Sequence, residues 1–320
     1  MIVVPDDFPS VFAGAEAEQR AKALGELRVW SERGADDERE LIRRIDKARV
    51  AINIRAHARF SDAVFAACPA LELVSVWGTG TDNIDLHAAG MRGVTVCNTP
   101  GVNAFAVAEH ALTLMLTVAR RITVLDAEMR RGKWPREMLT QLLGKTLGVF
   151  GMGAIGARVA TLGRAVGMTV LGWSAQGDER RVRAAGARPA SKEEILKTAD
   201  VITLHVRLTP ETRGFVARKE LAMMKPTAIL VNTGRGALVE RDALLAALKE
   251  RRIMGAGLDV FHQEPVPPDD AVLALPNVVC SPHSAGQTPE VIRDGLMAAV
   301  DNVERFLKGK PANLVVAPIR

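Results

Sequence analysis

The sequence predicts an α/β protein built from two doubly wound parallel sheets, with one domain inserted into the other. Three observations predict it. Short β-branched runs alternate with amphipathic stretches over the first hundred residues and again from residue 146, the pattern of parallel strands covered by helices. A glycine-rich turn follows an apolar run at mid-chain, after one complete α/β set instead of at the start. The length of 320 residues suits about two domains of ~150 residues each. The expected arrangement is a discontinuous outer domain, 1–98 with 288–320, and an inserted domain, 99–287.

The elements follow in order. In the first set, strands are predicted at 2–4, 27–30, 50–54, 73–76 and 94–97, with helices at 15–24, 36–47, 62–67 and 85–91. From Asn103 to Gly132 the apolar residues Leu112, Met115, Leu116 and Val118 recur at helical spacing, predicting one long helix stopped by glycine. The second set has strands at 146–150, 169–173, 201–205, 228–232, 255–259 and 278–280. Its helices fall at 154–166, 193–198 and 240–250, and a last helix, 289–307, comes after this sheet is complete.

Composition removes several function classes. With 48% hydrophobic and 25% charged residues the chain is an ordinary globular protein, neither disordered nor collagen-like. The net charge of +5 is mild, and the basic pairs Arg43-Arg44, Arg120-Arg121 and Arg251-Arg252 form no stripe with interleaved aromatics, so no nucleic-acid partner is expected. Cys68, Cys97 and Cys280 have no metal-ligand or CxxC spacing and read as reduced thiols, with no metal site. No basic flank precedes a long apolar run at the N-terminus, and no run of ~18 apolar residues occurs, so no membrane partner and a cytoplasmic location are expected. There is no tyrosine, which excludes a phenol as proton donor and directs the search to six histidines.

Gly151-Met152-Gly153-Ala154-Ile155-Gly156 sets GxGxxG after an apolar strand and at the head of a helix. The first glycine permits a tight turn, the second lets backbone approach a pyrophosphate, and the third lets helix and strand pack closely. The phosphates then lie on unpaired helix N–H groups. A strand before, a helix after and a second strand ending at Trp173 supply the context of a Rossmann-like dinucleotide site, beyond a merely structural glycine turn. The cofactor is therefore NAD or NADP. An acidic residue about 20 positions on usually bonds the ribose. Here the chain reads Trp173-Ser174-Ala175-Gln176, with no carboxylate before Asp178. Serine can bond a ribose hydroxyl without repelling a 2′-phosphate, so NADP stays open, with Arg180, Arg181 and Arg207 as candidate positive charges. Arg207 reads equally as a solvated charge at a strand end.

Three later motifs each end a strand: Asn232-Thr233-Gly234-Arg235-Gly236, Asp259-Val260-Phe261-His262-Gln263-Glu264-Pro265 and Ser281-Pro282-His283-Ser284-Ala285-Gly286. In open α/β sheets a ligand lies beyond the carboxyl ends of the strands, so these residues converge on one crevice. An arginine there can fork onto a carboxylate, and a carboxylate beside a histidine fixes its tautomer. Arginine, glutamate and histidine suffice to reduce a 2-keto acid or oxidise a 2-hydroxy acid.

With these motifs in this order, the chain resembles the D-isomer-specific 2-hydroxyacid dehydrogenases of the phosphoglycerate dehydrogenase and glyoxylate/hydroxypyruvate reductase kind, without the regulatory domain of the longer members. Gly78-Thr79-Gly80-Thr81-Asp82-Asn83-Ile84-Asp85, Asn98-Thr99-Pro100-Gly101 and Ala108-Glu109 extend the resemblance over nearly the whole chain. It implies that the outer domain is the substrate domain and the inserted one binds the dinucleotide. It further implies that Arg235 binds the substrate carboxylate and polarises the carbonyl. His283 would be the acid/base, Glu264 would hold it protonated, and backbone N–H groups at Thr79 and Gly80 would grip the carboxylate. Ala154 and Ile155 would cradle the pyrophosphate between Gly151, Gly153 and Gly156. Ser174, Val206, Arg207, Thr233, Gly234 and Ala285 would line the rest of the cofactor, with Asp259 on the nicotinamide carboxamide. The helix 103–132 would join two copies into a homodimer.

The chain departs from the family pattern at Arg207, where proline is common, which bears on the adenosine pocket. Glu264 and Arg235 argue against formate dehydrogenase, whose pattern has glutamine in place of that glutamate. Two alternatives remain: a non-catalytic NAD-sensing module like the family's corepressors, and phosphite dehydrogenase, which shares the three residues. His57, His87 and His110 read as structural or solvated, His205 as structural, and His262 lies off the acid/base position. Cys280 reads as a buried small hydrophobe and not a nucleophile. Arg55 or Trp77 would face the substrate's C3 substituent.

Overall fold

The structure is a computed structural model and describes residues 1–55 and 57–319. The last position of the expected outer domain, 320, lies outside the described residues. In chain order the strands are β1 (Ile2–Val4), β2 (Leu27–Val29), β3 (Val50–Asn53), β4 (Leu73–Val76), β5 (Thr95–Cys97), β6 (Thr146–Phe150), β7 (Thr169–Trp173), β8 (Arg188–Pro189), β9 (Val201–Leu204), β10 (Ile229–Asn232), β11 (Gly255–Leu258), β12 (Val278–Cys280) and β13 (Leu314–Val316). They form a six-stranded sheet, ordered β13-β5-β4-β3-β1-β2, and a seven-stranded sheet, ordered β12-β11-β10-β9-β6-β7-β8. The chain splits into two compact units, Met1–Asn103 with Gln287–Arg320, and Ala104–Gly286.

Both sheets are doubly wound. The pairs in the larger sheet are all parallel, and its order reverses between β6 and β9. That reversal is the switch point at which such sheets open a crevice beyond the strands' carboxyl ends. Strands β9, β10 and β11 are buried along their whole length, as β3 and β4 are in the other unit. Helices on both faces leave no polar side to a central parallel strand, so these strands read as continuous apolar runs.

In the first unit β13 pairs antiparallel with β5 and closes one edge. The helix Pro289–Leu307 belongs to this unit and buries Leu296, Ala299, Val300 and Val303. It starts cleanly, with the Thr288 hydroxyl accepting from the Val291 N–H and proline in its first turn. Ser75 Oγ donates to the Ala299 carbonyl at 2.8 Å, and Asn302 Nδ2 to that of Asn98 at 2.8 Å. These buried polar links tie the end of the chain to its beginning.

The expected single helix over 103–132 is two helices, Ala104–Ala119 and Ile122–Arg130. Arg121 breaks them, in the left-handed region at φ 49°, with its guanidinium paired to Glu137. The first helix buries Ala108, Ala111, Leu114, Met115 and Val118 and packs on β10, β11 and the helix Ala154–Ala165. The second buries none of its residues, so no apolar stripe continues across the junction. Periodicity could not reveal the break because each half is helical in its own right. Cys280 also corrects an expectation: it is exposed, because it ends β12, the edge strand of its sheet. The short strands β8 and β13 and the helices Glu179–Ala184 and Arg218–Met223 carry no readable pattern of their own. No helix among the described residues is long and apolar enough to cross a membrane.

Candidate active site

The glycine turn forms where β6 ends. Gly151 adopts φ +94°, open to glycine at little cost, and its N–H donates to the Trp173 carbonyl at 2.9 Å. A Cβ on Gly151 would overlap the backbone of His205, and one on Gly156 would overlap the Gly151 carbonyl oxygen. A Cβ on Gly153 would meet nothing within 4 Å. The outer two glycines are thus needed by the fold itself, while the middle one borders open space. Gly153 is also the N-cap of the helix Ala154–Ala165 and offers no capping side chain, so the opening N–H groups are available to an external acceptor. Thr233 adds a buried hydroxyl without a partner where β10 ends. A dinucleotide pyrophosphate fits this arrangement.

At the end of β7, Trp173 packs edge-on against Phe150, with ring centroids 5.9 Å apart, and also against Phe215. Ser174 follows, half-buried, and the next acid, Asp178, accepts from the Arg181 N–H as N-cap of Glu179–Ala184. Asp178 is therefore a helix cap. Val206 is buried, whereas Arg180, Arg181 and Arg207 are exposed. His205 is held in the fold: its Nε2 lies 2.9 Å from Thr203 Oγ1, while Nδ1 is buried without a partner.

Arg235, Glu264 and His283 come together in the second unit. Asn232 Nδ2 donates to the Arg235 carbonyl at 2.9 Å, and Asn232 Oδ1 accepts from the Gly234 N–H at 3.0 Å, which shapes the loop after β10. Gly236 lies so close to the Phe261–His262 backbone that a Cβ there would overlap it. His262 Nε2 meets the Val239 carbonyl at 2.8 Å, locking the two loops together. His262 is thus a structural anchor. Glu264 Oε1 accepts from the Phe261 N–H at 2.9 Å, and Oε2 lies 2.6 Å from His283 Nδ1. Burial pushes the Glu264 carboxyl up, but hydrogen bonds from His283 and Phe261 and the charges of His283 and Arg235 outweigh it. The carboxyl is held below its ordinary range and stays ionised near neutrality.

His283 has φ +51°, unusual for a side chain with a Cβ. Its N–H donates to the Asp259 carbonyl at 2.8 Å. The fully buried Asp259 carboxylate accepts from the Ser284 N–H at 2.9 Å, the Ala285 N–H at 3.0 Å and the Ser281 hydroxyl at 2.6 Å. Burial raises the Asp259 carboxyl, and these donors together with His110 bring it below its usual range. His110 is the residue that sequence reasoning missed. Its Nε2 lies 2.7 Å from Ser281 Oγ and 3.4 Å from Asp259 Oδ1. Helical spacing sets it beside the buried stripe of Val107, Ala111 and Leu114, but only the fold supplies the strand end that it meets.

In the first unit, the Gly78 N–H donates to Thr99 Oγ1 at 2.7 Å, and Asn98 Nδ2 donates to the Thr79 carbonyl at 2.8 Å. The part-exposed loop carrying Thr79 and Gly80 is thereby pinned to the end of β5. Trp77 packs its indole on Gly295, and Arg55 donates to the Pro9 carbonyl, so both side chains already have partners within that unit.

Residues 112–285 match the family described as D-isomer specific 2-hydroxyacid dehydrogenase, NAD binding domain. The chain is 38% identical over 318 residues to a glyoxylate reductase of Korarchaeum cryptofilum, covering 96% of both chains. It is 42% identical over 262 residues to a glyoxylate reductase of Aeropyrum pernix, covering 79% of this chain and 78% of that one. Among solved structures it is similar to an acyclic imino acid reductase in complex with NADPH and D-Arg, at 29% identity and a TM-score of 0.90, covering 98% and 99% of the two chains.

Proposed function

The chain belongs to the D-isomer specific 2-hydroxyacid dehydrogenase family and is an NAD(P)-dependent oxidoreductase, and on that premise we propose that it reduces a small 2-keto acid through Arg235, Glu264 and His283. The observation that carries this reading is the 2.6 Å contact between Glu264 Oε2 and His283 Nδ1, with Arg235 close enough for its charge to act on the same carboxylate. The guanidinium forks onto the substrate carboxylate and polarises the adjacent carbonyl. With Nδ1 turned to Glu264, His283 presents Nε2 to the carbonyl oxygen and delivers the proton there, leaving the ring neutral. When bound, a reduced nicotinamide cofactor would supply the hydride that, with the proton from His283, turns the C=O bond into a C–H and an O–H. Gly153, Ala154 and Ile155 would hold the pyrophosphate, and Gly234 and Ala285 would border the nicotinamide half.

The test is a panel of glyoxylate, hydroxypyruvate and pyruvate, each with NADH and NADPH, followed at the reduced-nicotinamide absorbance. Oxidation of cofactor by at least one is expected. No oxidation with any of them overturns the substrate reading.

For the cofactor, we propose that the adenosine pocket admits the 2′-phosphate of NADPH. Ser174 brings no negative charge, Asp178 is taken up as a helix cap, and Arg180, Arg181 and Arg207 are exposed. Ser174→Asp should shift the kcat/KM ratio toward NADH by tenfold or more, since a carboxylate bonds the ribose hydroxyls and repels the phosphate. An unchanged ratio sinks the assignment.

We also propose a homodimer formed through 103–132 and the segment after it. Ile122, Met129, Trp134 and Leu143 are large apolar side chains left exposed, and Met138 is 100% exposed. Large apolar side chains left exposed along one stretch of chain favour an association surface there. Sizing should give about twice 34.4 kDa, and a particle of monomer mass would overturn it.

A further inference from the structure

We infer that His110 is a positioning residue for the acid/base: through Ser281 and Asp259 it holds the turn that carries His283. The inference rests on the reductase reading above, since His283 is the group being positioned.

Three observations build it. First, the direction of the hydrogen bonds is determined. Ser281 Oγ–H lies 2.6 Å from Asp259 Oδ1 and can donate its single proton only there, because Asp259 is an acceptor. The 2.7 Å contact from His110 Nε2 must then be a donation into the serine lone pair. His110 therefore carries its proton on Nε2, and the chain runs His110 to Ser281 to Asp259. Second, Asp259 holds the next turn through both its carboxylate and its carbonyl: it accepts from the N–H groups of His283, Ser284 and Ala285. Third, His283 is in the left-handed region at φ +51°. A side chain stays in such a conformation only where its surroundings over-determine it. The Asp259 contacts are what does so here, and three of the carboxylate's contacts fall on Oδ1, including the 3.4 Å approach of His110.

His110 thus links the helix Ala104–Ala119 to this turn through side-chain polar atoms. That helix is buried on β10 and β11, so it is a rigid reference for the strand ends. Without the His110 donor, the Ser281 hydroxyl can rotate and the carboxylate loses one of its fixed partners. The turn then relaxes, and His283 drifts from its 2.6 Å contact with Glu264. Proton transfer is sensitive to such a drift, whereas substrate binding by Arg235 is not.

The experiment compares His110→Ala, His110→Gln, Ser281→Ala and the His110→Ala/Ser281→Ala double variant with the wild type. With the best 2-keto acid, His110→Ala should lower kcat about 10- to 100-fold, the range a small misplacement of a catalytic group produces. KM should stay within about twofold, since uniform binding is untouched. His110→Gln, whose amide can donate from a similar place, should recover most of the loss. Ser281→Ala should reproduce the His110→Ala effect, and the double variant should be no slower than the slower single, because both break one chain. In the protein without substrate, the His283 imidazole NMR signal, identified by its loss in His283→Gln, should shift or broaden in His110→Ala. Unchanged kcat in His110→Ala, a glutamine variant no better than alanine, or multiplying effects in the double variant would each overturn the inference. If the wild type reduces no 2-keto acid, the reductase reading falls by itself. The His283 signal then decides the positioning: a shift supports it and an unmoved signal refutes it.

Discussion

Glu264 Oε2 and His283 Nδ1 are 2.6 Å apart, and the same carboxylate accepts from the Phe261 N–H through its other oxygen. One oxygen is thus fixed by backbone and the other by the imidazole, which sets ring orientation and tautomer together. The carboxyl is held below its ordinary range against the opposing effect of burial, so the pair is built to keep Glu264 ionised.

Glu264→Gln keeps the shape and removes the charge. It should lower kcat for reduction by about 100-fold, the lower end of what a positioned acid or base contributes. Because the folded Glu264 lies below the unperturbed 4.5, the wild-type rate should hold as pH falls to 4.5 and decline only below it, as the carboxyl takes up its proton. Steady-state kinetics across pH check both statements. A variant within threefold of wild type contradicts the first, and an acid limb well above pH 4.5 contradicts the second.

Arg235→Lys retains a positive charge but loses the planar fork. KM for the 2-keto acid should rise about 10- to 100-fold, corresponding to roughly 1.5–3 kcal/mol for a charged hydrogen bond. The affinity for NAD(P)H, measured by nicotinamide fluorescence, should not change. A conservative outcome, with KM preserved, would remove Arg235 from the substrate carboxylate.

Gly153→Ala and Gly156→Ala should separate cofactor binding from folding. The added methyl at 153 enters open space, so the melting temperature of the cofactor-free protein should hold while NAD(P)H affinity drops. At 156 the methyl meets the Gly151 carbonyl, so the fold itself should lose stability. Thermal melts beside fluorescence titrations show whether the two variants divide in this way. Equal behaviour in both would refute the assignment of the middle glycine.

His205 should make the protein sensitive to mild acid. Burial drives its imidazole down from 6.5 to about 3, so between those values the unfolded chain binds a proton that the folded chain excludes. Stability must then fall as pH falls through that window, by about 3 kcal/mol at pH 4.5. His205→Gln removes this titration and should flatten the dependence between pH 7 and 4.5. Urea unfolding at the two pH values measures it, and parallel losses in wild type and variant would show that another group is responsible.

Much of this molecule was legible in the chain. Strand positions agree with the apolar runs to about a residue at most ends, and β4 and β6 match throughout, because a strand buried on both faces must be apolar along its length. The glycines of 151–156 could be read because their requirement is steric and local. Arg235, Glu264 and His283 could be proposed because each lies in a loop after the carboxyl end of a parallel strand, where the doubly wound topology gathers side chains.

The sequence by itself determined the two doubly wound sheets and the site of the dinucleotide turn, and it singled out the three groups proposed for the chemistry, since periodicity and glycine sterics act over a few residues. Tertiary structure alone decided the break at Arg121, the edge strand β13, the exposure of Cys280 and the bond from His110 to Ser281. Each of these depends on what lies opposite in space. His110 and Ser281 are 171 positions apart, and no local pattern could pair them until the helix was laid across the strand ends.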